Sequence, residues 1–326
     1  MSSIEPSRRA ALARLAALAG AAASMPRAFA ASAVLPERVR VGYQKGSATL
    51  VLAKRRGTLE ARLQQLGVNR VEWVEFQFGP PMLEAIGAGA VDLGSVGDTP
   101  PIFAQAGGAG VVYAAATPAT EHAILVPEHS DIKRPADLRG KRLAVAKGSS
   151  AHNVTLRALA LAGLSFKDIQ PIYLAPADAS AAFVGGKVDA WTVWDPFFAQ
   201  AESLYKARVV VDTVHEPRLG SHAFYIAGRG FAEKYPETLQ AVLDGLGELE
   251  RYSASHRDEV AALAAELTGI DLEVQKRVYA RKQLNLGPVT DAVLAQQQQI
   301  ADAFYREKLI PKPIQVREIA WRPPGA

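Results

Sequence analysis

With 326 residues, 49% of them apolar, the chain is long enough to bury more than one compact unit. It contains no cysteine, which excludes disulfides, thiolate catalysis, cysteine-held metals and a lipid-modified N-terminal cysteine. Residues 1–30 hold four arginines and one acidic residue. The rest carries 33 basic against 32 acidic side chains, too even a balance to support nucleic-acid binding by bulk charge.

Ser7-Arg8-Arg9 leads an Ala/Leu run from Ala10 to Ala23, and Ala28-Phe29-Ala30 is a small-x-small cleavage site. Residues 1–30 therefore read as a secretory signal peptide, with an Ala-rich transit helix as the alternative. The paired arginines and the modest hydrophobicity point to the twin-arginine route. Arg14 interrupts the run, which is also too short to span a bilayer. The mature protein is expected to be soluble and periplasmic.

A strand is predicted at Val39–Tyr43, then a helix from Ala48 to Leu66 stopped by Gly67. A strand follows at Val71–Phe78, a short helix at Met82–Ala88, and a buried strand running into the loop Val91–Pro101. A helix is expected from Pro100 to about Ala106, then strands at Val111–Ala116 and Ile124–Val126. Pro135–Lys141 reads as one helical turn. From Leu143 the order recurs: strand, helix Ala151–Ala162, strand Ile169–Leu174, helix Ala177–Val184, strand Val188–Val193, helix Pro196–Leu204, strand Val209–Val211. Ala223–Ala227 is one more strand, and everything beyond it is helical. Gln296–Gln299 reads as a polar helix face only, and the Pro-rich tail from Pro311 as a surface wrap. The fold class is α/β with mostly parallel sheets. With crossings near Pro127–Ser130 and Pro217–Ser221, lobe 1 comprises residues 31–126 and 221–326, and lobe 2 residues 127–220. Ligands are expected in the crevice between the lobes, at the carboxyl ends of the strands.

The chain writes two features twice. Val91-Asp92 is followed six residues on by Asp98 and then by Pro100; Val188-Asp189 is followed by Asp195 and Pro196. Lys45-Gly46-Ser47 and Lys147-Gly148-Ser149 each follow an apolar run. Such loops put small residues and free N–H groups at helix starts, which suits either ordinary N-capping or a tetrahedral oxyanion. Asp98 and Asp195 would repel an anion, so capping suits them better than ligand contact, unless the ligand carries an amine. Trp194 is placed either to wall an alkyl chain or to pack in the core. The six histidines form no HxH or HExxH pattern, so no metal site is expected. His152, on the first turn after the serines, faces either the ligand or the surface. Neither a P-loop nor a GxSxG elbow occurs.

The stretches Gly42–Ser47, Gly97–Gln105, Lys147–Asn153 and Val193–Phe197 together resemble the aliphatic-sulfonate-binding proteins of ABC importers. The resemblance runs from about Val39 to Ala227 and more loosely to the end. It implies a two-lobed periplasmic-binding-protein type II fold with a two-segment hinge and a helical C-terminal part. It also implies a monomeric receptor that hands sulfonates to an inner-membrane permease and ATPase. Gln44, Asp98, Thr99, Ser149, Ser150 and Trp194 match positions lining the cleft. Ser47 and Gly97 belong to the same loops, while His122 and Tyr225 enter by their position near the crossings. A sulfonate is anionic at any physiological pH, so no cofactor is called for. The wider family also binds taurine and nitrate. Taurine needs a carboxylate, which Asp98, Glu121 or Asp195 could supply; nitrate needs a smaller pocket, which Trp194 could fill. A desulfinase-like enzyme on the same fold depends on a cysteine that this chain lacks. The rim from Thr117 to His122 departs from the family pattern and leaves ligand size open.

Overall fold

The computed structural model describes residues 34–323, so the predicted signal peptide lies outside the described residues. Two five-stranded sheets organise the chain. The first has the order β2-β1-β3-β10-β4, built from β1 (Val39–Tyr43), β2 (Val71–Glu75), β3 (Leu93–Val96), β4 (Val111–Pro118) and β10 (His222–Gly228). The second has the order β7-β6-β8-β5-β9, from β5 (His122–Val126), β6 (Arg142–Val145), β7 (Gln170–Tyr173), β8 (Ala190–Trp194) and β9 (Arg208–Asp212). The helices are α1 (Ala48–Arg56), α2 (Thr58–Leu66), α3 (Gly79–Gly87), α4 (Thr99–Ala106), α5 (Ser150–Leu161), α6 (Pro176–Val184) and α7 (Phe197–Tyr205). After β10 come α8 (Arg229–Lys234), α9 (Pro236–Ser255), α10 (Arg257–Thr268), α11 (Leu272–Arg281) and α12 (Asp291–Arg306).

The internal repeat is the plan of the fold. In each half three strands pair in parallel, and an antiparallel strand is inserted before the last. That inserted strand is borrowed. β5 follows β4 in the chain yet joins the second sheet, and β10 follows β9 yet joins the first. Both sheets are therefore mixed, with one antiparallel strand among strands that otherwise run the same way. The outward crossing lies at Ala119–Glu121, and β5, expected with the first half, belongs to the second sheet. An apolar run buried at every position, such as β5, does not say which sheet it enters.

The doubled Val-Asp pairs hold equivalent places. Asp92 accepts from the Arg40 backbone N–H at 2.7 Å and from its guanidinium at 2.6 and 3.1 Å. Asp189 does the same for Arg142, at 2.8 Å from the backbone and 2.8 and 3.2 Å from the guanidinium. Each pair locks the first and third strands of its half where β3 and β8 begin. These are charge-assisted bonds with bidentate geometry, the strongest kind a side chain makes.

Three local expectations change. Gly57, at φ +62°, divides the expected helix Ala48–Leu66 into α1 and α2, while Gly67 ends α2 in the left-handed region as anticipated. The Gln run is more than a polar face: Gln297 is buried and donates to the Asp98 carbonyl and, at 2.9 Å, to Tyr113 Oη. The tail is anchored rather than wrapped. Ile314, Val316 and Ile319 enter the core beside Phe304, and the Trp321 N–H donates to the Tyr113 carbonyl. Apolar clusters cover both faces of each sheet. Among the described residues no helix is long and apolar enough to cross a membrane.

Candidate functional site

A cavity of about 90 Å³ lies where the carboxyl ends of β1, β3, β6 and β8 converge from both halves. Two glycines permit the approach. A methyl group on Gly46 would stand 3.2 Å from the Asp195 carbonyl oxygen, and one on Gly97 2.9 Å from the Ser150 Cβ. The first half thus presents both glycines to loops of the second.

The loops are built by their own side chains. Ser47 Oγ accepts from the Gln44 N–H at 3.3 Å, and Gln44 Nε2 donates to the Ser95 carbonyl at 3.0 Å. In the second half Gly148 takes φ +73°, Ser149 Oγ donates to the Ala146 carbonyl at 2.7 Å, and the Gly148 N–H donates to His152 Nδ1 at 3.3 Å. Ser150 and Ala151 head α5, where backbone N–H groups have no carbonyl one turn below and the helix dipole favours an anion.

The wall of the cavity also holds ionisable groups. Lys282, just past α11, is the one basic side chain lining it among the described residues. Burial pushes its pKa down, partly offset by Glu250, Asp195 and Glu121. Glu250 is buried, which pushes its carboxyl up; the hydroxyls of Thr49 and Thr117 donate to it at 3.4 and 3.3 Å. His122 Nδ1 lies 2.6 Å from the Thr120 carbonyl, an acceptor only, so that nitrogen carries the proton and Nε2 is left as an acceptor. Burial lowers the pKa of His122 as well, which keeps the ring neutral. Trp194 stands beside it, with ring centroids 6.1 Å apart. Among the described residues no cluster of three metal-ligating side chains occurs.

Of the residues singled out in the sequence, Gln44, Ser47, Gly97, His122, Ser149, Ser150, Trp194 and Tyr225 line this cavity. Asp98 and Thr99 do not. Both are fully buried, with the Thr99 hydroxyl donating to the Asp98 carboxylate at 2.7 Å. Asp98 makes no side-chain cap for α4, whereas Asp195 does accept the Ala199 N–H at the start of α7. His152 is also fully buried, ringed by Phe103, Phe166, Tyr173 and Phe304, and faces neither ligand nor surface. The sequence reading missed Lys282, Glu250 and Thr49, and it named Thr117 only as the start of a rim. Glu250 left a signal, since it interrupts the apolar stripe of Leu239, Leu243 and Leu246 at helical spacing.

Two mixed sheets of this order, closing on one cavity, define the type II fold of periplasmic binding proteins. The alkanesulfonate-binding protein SsuA from Xanthomonas axonopodis pv. citri, solved with MOPS bound, matches with a TM-score of 0.84 at 39% identity, covering 89% of this chain and 100% of that one. The profile of the family described as NMT1/THI5 like matches residues 73–259. The putative aliphatic sulfonates-binding protein of Escherichia coli (strain K12) is 46% identical over 291 residues, 88% of this chain and 90% of that protein. The chain belongs to the NMT1/THI5-like family and, within it, to the aliphatic sulfonates-binding proteins. The desulfurization enzyme DSZB aligns with a TM-score of 0.65 over 88% of this chain and 97% of its own, at 17% identity, a likeness of fold alone.

Proposed function

We propose that the protein is the periplasmic solute receptor of an ABC importer for aliphatic sulfonates, exported by the segment 1–30 and delivering its ligand to a permease and ATPase as a monomer. The observation that carries this reading is that one cavity is lined by Lys282, by the head of α5 and by the Trp194 indole. The sulfonate oxygens meet the N–H groups at the start of α5, the Ser150 hydroxyl and Lys282, while Trp194 covers the organic tail. Donors preorganised in a half-buried site lose little water order on binding an anion that needs no proton exchange. Identity to sulfonate-binding relatives supports the same ligand class, and those relatives are binding proteins rather than enzymes. Glu250, a carboxylate in the same wall, favours as a second reading a sulfonate that also carries an amine, such as taurine.

The test is the double substitution Ser149→Ala with Ser150→Ala. It removes two hydroxyls from the head of α5, one of them the Ser149 Oγ that donates to the Ala146 carbonyl, and leaves the backbone N–H groups in place. Affinity for a short alkanesulfonate, read by titration calorimetry, is expected to fall about tenfold, the equivalent of one or two hydrogen bonds to a charged group. Wild-type affinity in the double variant would take both hydroxyls out of the site.

A further inference from the structure

The two aspartates that recur in the sequence, Asp98 and Asp195, have reciprocal partners. Asp98 belongs to the first half, and its Oδ2 accepts at 2.7 Å from Nδ2 of Asn153, on α5 of the second half. Asp195 belongs to the second half. Its two oxygens accept at 2.6 and 2.7 Å from Arg281, at the end of α11, a helix whose Val274, Val278 and Tyr279 pack in the core of the first half. The Arg281 guanidinium also lies 3.8 Å from the Phe198 ring centroid and 3.3 Å from Glu202 on α7. Both aspartates are almost without solvent exposure; Asp98 follows the cavity residue Gly97, and Asp195 lines the cavity next to Trp194.

We infer that Asp98–Asn153 and Asp195–Arg281 are paired latches that hold the two halves closed over the ligand, so that these four residues position the site without Asp98, Asn153 or Arg281 touching what it binds. The inference rests on the proposed receptor function, because only a ligand enclosed by two halves needs them held together. It accounts for what the two aspartates share, since Asp195 also accepts the Ala199 N–H at the start of α7 whereas Asp98 has no such role. An anion site gains nothing from Asp98, and Asp98 caps no helix through its side chain. A buried carboxylate with its partner withdrawn is costly, so opening either latch requires water to enter and both halves to separate. The two latches therefore favour one all-or-none closure over partial gaping.

The decisive experiment exchanges donor and acceptor in the mature chain. Asn153→Asp sets two carboxylates against each other; the double variant Asp98→Asn with Asn153→Asp restores a reversed amide–carboxylate pair. Dissociation of a short alkanesulfonate is followed by tryptophan fluorescence, and the radius of gyration of the ligand-free protein by small-angle X-ray scattering. Asn153→Asp is expected to release ligand at least about tenfold faster and to enlarge the particle. The double variant is expected to return both readings to within about threefold and to the wild-type radius respectively. Wild-type release from Asn153→Asp, or a double variant as defective as the single one, overturns the latch. Should Asn153→Asp fail to fold, Asn153→Ala and Arg281→Met carry the comparison, with faster release expected from each and wild-type release contradicting it. Should the wild type bind no sulfonate, the receptor reading fails, and the ligand-free radii still decide whether the exchange opens and recloses the molecule.

Discussion

Lys282→Met is expected to lower affinity for a short alkanesulfonate by about a hundredfold, equivalent to roughly 3 kcal/mol, with the fold retained. Burial depresses the pKa of Lys282, so its ammonium is costly to hold, and the neighbouring carboxylates Glu250, Asp195 and Glu121 only partly offset that cost. A sulfonate bound there is expected to supply the opposite charge, and a charge-assisted bond in a half-buried site is stronger than at the surface. Removing the ammonium also removes attraction from Glu250, whose carboxyl is already pushed up by burial and then takes a proton more readily. Titration calorimetry reads the affinity, and thermal unfolding checks the fold. An affinity within threefold of wild type would take Lys282 out of the binding site.

His152 carries the second large effect, on stability rather than affinity. It is enclosed by four aromatic rings, and Nε2 has no hydrogen-bond partner. Burial, with a smaller contribution from Lys147, pushes its pKa from 6.5 down to about 4. Between those values the unfolded chain binds a proton that the folded chain refuses, so folding stability from this group falls as pH drops from 6.5 toward 4 and changes no further below that. That depression corresponds to roughly 3 kcal/mol. His152→Asn keeps an acceptor for the Gly148 N–H and removes the titration. The stability difference between wild type and His152→Asn, from urea unfolding, should therefore shrink or reverse by about 3 kcal/mol between pH 7 and pH 4. A difference that stays constant across that range would mean that His152 titrates normally in the folded protein.

Much of this molecule was legible from its residues because the chain repeats itself. The doubled Val-Asp marked the Arg40–Asp92 and Arg142–Asp189 locks, and the doubled Gly-Ser loops marked the strand ends that build the cavity. Local rules also held where one residue decides, as at Gly67, where the left-handed region ends α2. What stayed hidden depends on partners distant in sequence. The exchange of β5 and β10 between sheets left no trace in strands whose residues are buried on both faces. Lys282 follows Arg281 at a helix end, where a basic pair reads as ordinary dipole compensation; only the tertiary fold brings it to loops as distant in sequence as Gly46-Ser47. Asp98 looked like a cap because Pro100 follows it, but its true donor, Asn153, sits in the other half. Gln297 looked solvated because its neighbours are glutamines, although its side chain bonds to the Asp98 carbonyl.

The most direct measurement is the thermal unfolding of residues 31–326 with short and long alkanesulfonates, taurine, sulfate and nitrate, each in large excess. A ligand at a thousand times its dissociation constant stabilises the folded state by about 4 kcal/mol, which raises the midpoint by several degrees in a chain of this size. The account predicts a rise with alkanesulfonates and none with sulfate or nitrate, because the indole wall reads an organic tail as well as a charge. A rise with nitrate or sulfate alone, or no rise with any sulfonate, would contradict it.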